Sequence, residues 1–271
     1  MKALLAASVL LLAACAQGGA DAPGAKVRPT IVSLNPCLDA ILADVAAPGQ
    51  LLAISHYSKD PRSTSMSAEA ASRYAATGGT VEEVLALDPD VVVAGTFLAP
   101  ATRAALEDLG IEVATFGVAS DVAASEEQIR KLAVLAGNLQ AGDRLIDRIE
   151  RALADATPPD NRKIDVLLWQ PAGIVAGEHS LVSDLLTRTG FVNAAPARGL
   201  SQADYVALED VVAMPPPVLL VAGGEFGQRH PVLDHLPQMR RERFDGSLLY
   251  CGGPTIIRAV QRLADIRREV S

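Results

Sequence analysis

Val81-Glu82-Glu83-Val84-Leu85-Ala86-Leu87-Asp88-Pro89-Asp90-Val91-Val92-Val93-Ala94 is the stretch on which the fold turns. Thr80 precedes it as an N-cap with Glu83 three residues on, the spacing that starts a helix. Asp88-Pro89-Asp90 stops that helix, because proline cannot continue it. The run after it lacks polar alternation and so predicts a strand buried on both faces, as in a parallel sheet. The pattern returns in the second half of the chain. There Ala207-Leu208-Glu209-Asp210-Val211-Val212-Ala213-Met214-Pro215-Pro216-Pro217 leads into Val218-Leu219-Leu220. Glu82 and Glu209 each stand seven residues before a proline, Pro89 and Pro216, that precedes a buried strand. The one break in the echo is Pro217, which stands where the first half has Asp90.

Strand, turn and helix alternate outward from this element. Ile31-Val32-Ser33-Leu34 reads as a strand, Cys37 to Leu42 as a helix and Leu51 to Tyr57 as a second strand. Pro100 to Leu109 has helical spacing, and Glu112 to Phe116 is a further strand. Residues 121–157 then carry helix formers almost without interruption, with Gly137 and Gly142 as the weak points. As one helix they would span roughly 50 Å at 1.5 Å per residue, a spar between two lobes. Thr157-Pro158-Pro159-Asp160 ends it. The second half runs from a strand at Ile164 to Trp169, through helices at His179 to Thr189 and Tyr205 to Met214, to a strand at Val218 to Ala222. A last strand over Ser247 to Cys251 and a helix over Pro254 to Val270 close the chain. The fold class expected is α/β, with two Rossmann-like lobes of mostly parallel sheet joined by one long backbone helix. The lobes are residues 29–120 and 158–271.

The N-terminus adds an address. Lys2, an apolar run and small residues lead to Cys15, the pattern of a lipoprotein signal (residues 1–15) too short to span a bilayer as a stable helix. Cleavage before Cys15 would leave its thiol for lipidation. Residues 16–28, rich in Gly, Ala and Pro, suit a flexible tether. The expected location is the periplasm, with a lipid anchor in a membrane.

Composition bounds the function. The apolar fraction is 49% and the formal net charge is -8, with no basic cluster beyond Met239-Arg240-Arg241-Glu242-Arg243, which reads as a solvated helix end. Nucleic acid is therefore not an expected partner. Cys37 and Cys251 fall in different lobes and read as two separate buried thiols, with a disulfide as the alternative in an oxidising compartment. GxSxG, P-loop, GxGxxG and HExxH patterns are absent, and Ser180 beside His179 reads as a helix cap. An enzyme is the less favoured class, and no covalently bound cofactor is expected.

Ile31-Val32-Ser33-Leu34-Asn35-Pro36, the Glu82 to Asp90 element, the long helical segment and the echoed element at Glu209 together resemble one family. It is the iron-chelate and vitamin B12 class of periplasmic substrate-binding proteins that serve ABC importers. The resemblance implies a bilobal, monomeric protein that binds a ferric siderophore, haem or cobalamin-type complex between its lobes. It further implies an ABC permease with its ATPase subunits as partner, docked through Glu82 and Glu209. A solvated helix surface is the plain alternative for each glutamate.

In open α/β sheets ligands bind beyond the carboxyl ends of the strands. That rule makes Asn35, His56, Tyr57, Arg62, Phe97, Trp169, Gln170, Glu225 and Phe226 the candidate cleft residues. The aromatic ones would supply flat apolar walls, although a lone tryptophan is as often core. Arg62 and Arg198 are candidates for an anionic chelate. A bare zinc or manganese ion is the rival ligand, but His56, His179, His230 and His235 lack the tight spacing such a site uses.

Overall fold

The computed structural model describes residues 28–270, so the leader, Cys15 and nearly all of the tether lie outside the described residues. Elements follow one another as β1 (Ile31–Ser33), α1 (Pro36–Val45), β2 (Leu51–Ser55), α2 (Ala68–Ser72), β3 (Ala75–Thr77), α3 (Val81–Leu87), β4 (Val91–Gly95), α4 (Pro100–Asp108) and β5 (Glu112–Phe116). Two helices, α5 (Val122–Leu135) and α6 (Leu139–Ala156), lead to β6 (Ile164–Trp169), α7 (Leu181–Arg188), β7 (Phe191–Asn193), α8 (Leu208–Ala213), β8 (Val218–Val221), β9 (Arg240–Arg243) and α9 (Thr255–Glu269). The first sheet has the order β3-β2-β1-β4-β5 and the second β7-β6-β8-β9. Every strand pairing in both is parallel.

The period of two along the strands sorts their side chains between cores. Ile31, Val91 and Val93 of the first sheet and Val166, Leu168, Val218 and Leu220 of the second belong to one core. That core also takes in α1, α5, α6, α7 and α9 and so runs through both lobes. Val32 and Val92 face a separate core with Val84 and Leu106, while Leu167 and Leu219 face another with Val211 and Leu233. A shared core under the cleft resists large lobe motion, since opening the lobes would expose apolar surface.

Four expectations are corrected. First, the connection is two helices, not one. Gly137 adopts φ +62, its N–H donates to the Val134 carbonyl at 3.0 Å, and the Asn138 N–H donates to the Ala133 carbonyl at 2.9 Å. This left-handed C-cap ends α5 and lets α6 pack against it. Contact is so close that a Cβ on Gly142 would lie 2.6 Å from the Ala133 Cβ. The two glycines thus form the bend and the helix contact. α6 still joins the lobes, packing on α1 and on α9.

Second, Cys37 and Cys251 form a disulfide across 214 residues of sequence. Assignment to different lobes had argued against it, but the segment before α9 returns to lie on α1. A Cβ on Gly253 would stand 2.5 Å from Ile41, and the Gly253 N–H donates to Ser125 Oγ at 2.8 Å. Third, the basic run is the edge strand β9. An edge leaves one side of the ladder solvated, which suits charged residues, and Glu242 pairs with Arg240 at 2.8 Å and with Arg262 at 3.1 Å. Fourth, no strand forms over Ser247 to Cys251, where a single 3-10 turn (Gly246–Leu248) occurs.

Candidate functional site: the interlobe cleft

Parallel strands deliver their carboxyl ends to one edge of each sheet, and the two edges border a common trough. A cavity of about 60 Å³ lies on the first-lobe side, lined in part by Asn35, Thr96, Phe97, Phe116 and Gln128. One of about 320 Å³ lies on the second-lobe side, lined by Gln170, Ala176, His179, Leu181, Val182 and Gln202 among others. Val118, Ala119 and Tyr250 border both, so Tyr250 stands at the centre of the trough. The larger volume is at the low end of the range for small-molecule sites.

Local sequence explains how each wall is held. β1 ends at Asn35, whose Oδ1 accepts from the N–H groups of Cys37 (3.0 Å) and Leu38 (3.3 Å) and caps α1. Its side chain is therefore spent mainly on the helix it starts. Phe97 follows β4 and is 89% exposed, free to cover a ligand. Gln170 directly follows β6, is buried, and lines the larger cavity. Ser180 caps α7: its Oγ accepts from the Ser183 N–H and donates to the Gly177 carbonyl. That cap fixes the exposed His179 at the mouth. Tyr250 is held by its neighbour Cys251, disulfide-bonded to Cys37, and partial burial raises its phenol above the usual range.

The remaining candidates are placed elsewhere. Trp169 is 3% exposed and its indole N–H donates to the Val206 carbonyl at 2.9 Å. Alternation along β6 puts it with Leu167 in the core on the sheet's far face, so it is a core residue and lines neither cavity. Glu225 accepts from the Ala172 N–H at 2.7 Å and closes the loop after β6. Phe226 is 77% exposed and meets His230 edge-on. His56 and Tyr57 lie side by side with their rings tilted by 36° and centroids 4.0 Å apart, on a turn beyond β2, with His56 Nδ1 at 3.3 Å from the Thr77 carbonyl oxygen. Arg62 is exposed and paired with Asp60 at 3.0 Å. None of Glu225, Phe226, His56, Tyr57 and Arg62 borders either cavity. Arg198 is half-buried, and desolvation pulls its guanidinium below the usual range.

Glu82 and Glu209 are both exposed and both stand in the first turn of a short helix, α3 and α8. Each helix feeds a parallel strand, so its N-terminus lies at the same edge of the sheet as the strand ends. Both carboxylates therefore sit on the face of the molecule where the cleft opens. Among the described residues no three His, Cys, Asp or Glu side chains cluster as a bare-metal site requires.

Sequence reasoning passed over Tyr250 and Asp39. The available signal for Tyr250 was its place near the carboxyl end of the strand expected over Ser247 to Cys251, although that strand does not form. Asp39 lies on the buried side of α1, where helical spacing calls for an apolar residue. Its Oδ2 accepts from the Ser55 N–H at 3.0 Å and the Ser58 hydroxyl at 2.6 Å. It thereby pins the turn that carries His56 and Tyr57. Burial pushes its carboxyl up to about 7 against those hydrogen bonds.

Two fused parallel α/β lobes with a ligand-sized trough at their common edge define a substrate-binding protein. The chain belongs to the periplasmic binding protein family, whose model matches residues 31–242. This family comprises the binding subunits that work with ABC importers. Among solved structures the chain is similar to the periplasmic haem-binding protein RhuT from Roseiflexus sp. RS-1 (22% identity, TM-score 0.70, covering 90% of this chain and 99% of that one). It is also similar to the haem-binding protein HutB of Vibrio cholerae (18%, 0.71, 88% and 98%). A third is the vitamin B12-binding protein BtuF of Vibrio cholerae (17%, 0.67, 89% and 97%). No curated protein matches the chain by sequence.

Proposed function

We propose that this protein captures haem, or a similarly flat metal chelate, in the interlobe trough and passes it to an ABC permease. The observation that carries the reading is the lining of the larger cavity. It sets a tyrosine, Tyr250, and a histidine, His179, among Val118, Ala176, Leu181 and Val182. Tyrosine and histidine are donors that haem iron accepts in proteins, and an apolar wall suits the macrocycle. Phe97 and Val118, 89% and 75% exposed at the trough, offer further apolar surface. Similarity to haem-binding and corrinoid-binding proteins of the same fold supports the ligand class. Docking would use Glu82 and Glu209, two charges on the cleft face that fix register and speed encounter. Cys15 would carry the lipid that holds the protein at the membrane.

The deciding experiment is a titration of the mature protein with haemin, cobalamin and a ferric siderophore, followed by absorption. Haemin is expected to bind saturably with a Soret shift. Tyr250→Phe and His179→Ala should each change the spectrum if that residue ligates iron. Saturable binding of cobalamin or the siderophore alone would refute the haem reading and keep the cleft. Binding of haemin with spectra unchanged in both variants would refute the assignment of the donors.

A further inference from the structure

A second cavity, of about 330 Å³, opens where α1, the segment leading into α2 and the start of α9 meet. It is as roomy as the cleft cavity and shares no lining residue with either part of the trough. Its chemistry is cationic. Arg73 and Arg258 both line it. Arg73 holds Glu69 in an exposed pair at 2.8 Å, whereas Arg258 donates to the Ser65 carbonyl and, although its charge is felt by Asp245, forms no direct ion pair among the described residues. The one carboxylate in the lining, Asp44, is already matched by Arg148 at 3.0 Å.

Two further features face the same place. The 15-residue helix α9 begins here, and no side chain caps its first turn. The Ile256 N–H is taken by the Gly253 carbonyl at 3.1 Å, but the remaining first-turn N–H groups and the helix dipole leave partial positive charge at the cavity. In addition, Thr255 (1% exposed) and Ser65 (5% exposed), both in the lining, have hydroxyl oxygens that are buried without any hydrogen-bond partner. Buried polar groups are nearly always paired, so two orphans beside one cavity point to an absent partner. An oxyanion answers all of these demands at once. It accepts from hydroxyls, from a guanidinium and from helix N–H groups.

We propose that this crevice is a second binding site, for a compact oxyanion such as a phosphate or carboxylate group. It would be held by Arg258, the hydroxyls of Thr255 and Ser65, and the N-terminus of α9. Its occupant bridges elements of both lobes, with α1 and α2 on one side and α9 on the other. It also lies next to the chain segment that carries Tyr250 and the disulfide.

The test uses the mature protein, its thermal unfolding and calorimetric titration with sodium phosphate and with sodium acetate. Sodium chloride at matched ionic strength is the reference. Expected is a saturable rise in Tm with phosphate, acetate or both, beyond the chloride control. Which anion acts distinguishes a tetrahedral from a planar guest. Arg258→Gln should weaken binding at least tenfold. Thr255→Val removes a hydroxyl that makes no bond in the free protein, so the free variant should melt no lower than wild type while its response to the anion falls. A response no larger than that to chloride, or one unchanged in both variants, would overturn the proposal.

Discussion

Replacing Cys37 and Cys251 together by serine removes the longest-range covalent tie in the described chain, a closure of 214 residues. In the chain-entropy view a cross-link acts by restricting the unfolded ensemble, and the restriction grows with the logarithm of loop size. For a loop of this length it amounts to about 5 kcal/mol at 25 °C, with about 3 kcal/mol at the lower end once native-state compensation is allowed. In a domain of this size, at about 2 °C per kcal/mol, that converts to a fall in Tm of roughly 6–10 °C. Urea unfolding of oxidised wild type, wild type with reductant and the double variant, followed by far-UV circular dichroism, measures it. The midpoint should fall in the last two. The slope m should rise as well, because an unfolded chain without the cross-link is more expanded and exposes more surface. A loss below about 1 kcal/mol, with m unchanged in both, would refute the reasoning. It would mean that residues 249–254 stay packed on α1 in the unfolded ensemble or that the pair is not bonded in the protein.

Three further outcomes are expected. Asp39 keeps its proton in the folded state up to about pH 7, whereas its ordinary value is 3.8. Stability linked to this group is therefore complete below pH 4 and is lost as pH rises towards 7, a span on the order of 4 kcal/mol. In Asp39→Asn an amide oxygen can still accept from Ser55 and Ser58, and the stability profile from pH 4 to 7 should flatten; an unaltered slope would exclude Asp39 as its source. Gly142→Ala sets a methyl 2.6 Å from Ala133, and the overpacking, about 1–3 kcal/mol, should outweigh a helix-propensity gain of about 1 kcal/mol. Adding Ala133→Gly should recover part of that loss, and strict additivity of the two changes would contradict the contact. Trp169→Phe leaves the Val206 carbonyl without its donor in the core, so stability should drop by about 1–3 kcal/mol while haemin affinity stays within twofold. A large loss of affinity in a stably folded variant would return Trp169 to the cleft.

How far the sequence carried depends on the range of each interaction. Thr80 and Glu83 marked the start of α3, Asp88-Pro89 its end, and the valine run β4, because caps, proline and alternation act over a few residues. The same locality made Asp121 to Ala156 look continuous: Gly137 is a weak helix former in either reading, and only the packing of α6 on α5 turned it into a C-cap. The run Arg240 to Arg243 has no apolar face, so its identity as a strand came from pairing with β8. Trp169 shows a signal that was present but outweighed. It shares a face with Leu167 by the period of two, although its place at a strand end suggested the cleft.

The two-lobed α/β class, the parallel sheets and most of the strand–helix alternation were set by local pattern and by the echo between the halves, whereas the edge strand β9 and the break at Gly137 were not. The family resemblance drew on those same features. Tertiary structure alone decided the Cys37–Cys251 bond, the meeting of Tyr250 with His179 in one cavity and the crevice between α1 and α9. Each of these joins residues dozens to hundreds of positions apart. Their proximity depends on how the two sheets share a core and on where the last helix returns, which no window of neighbouring residues encodes.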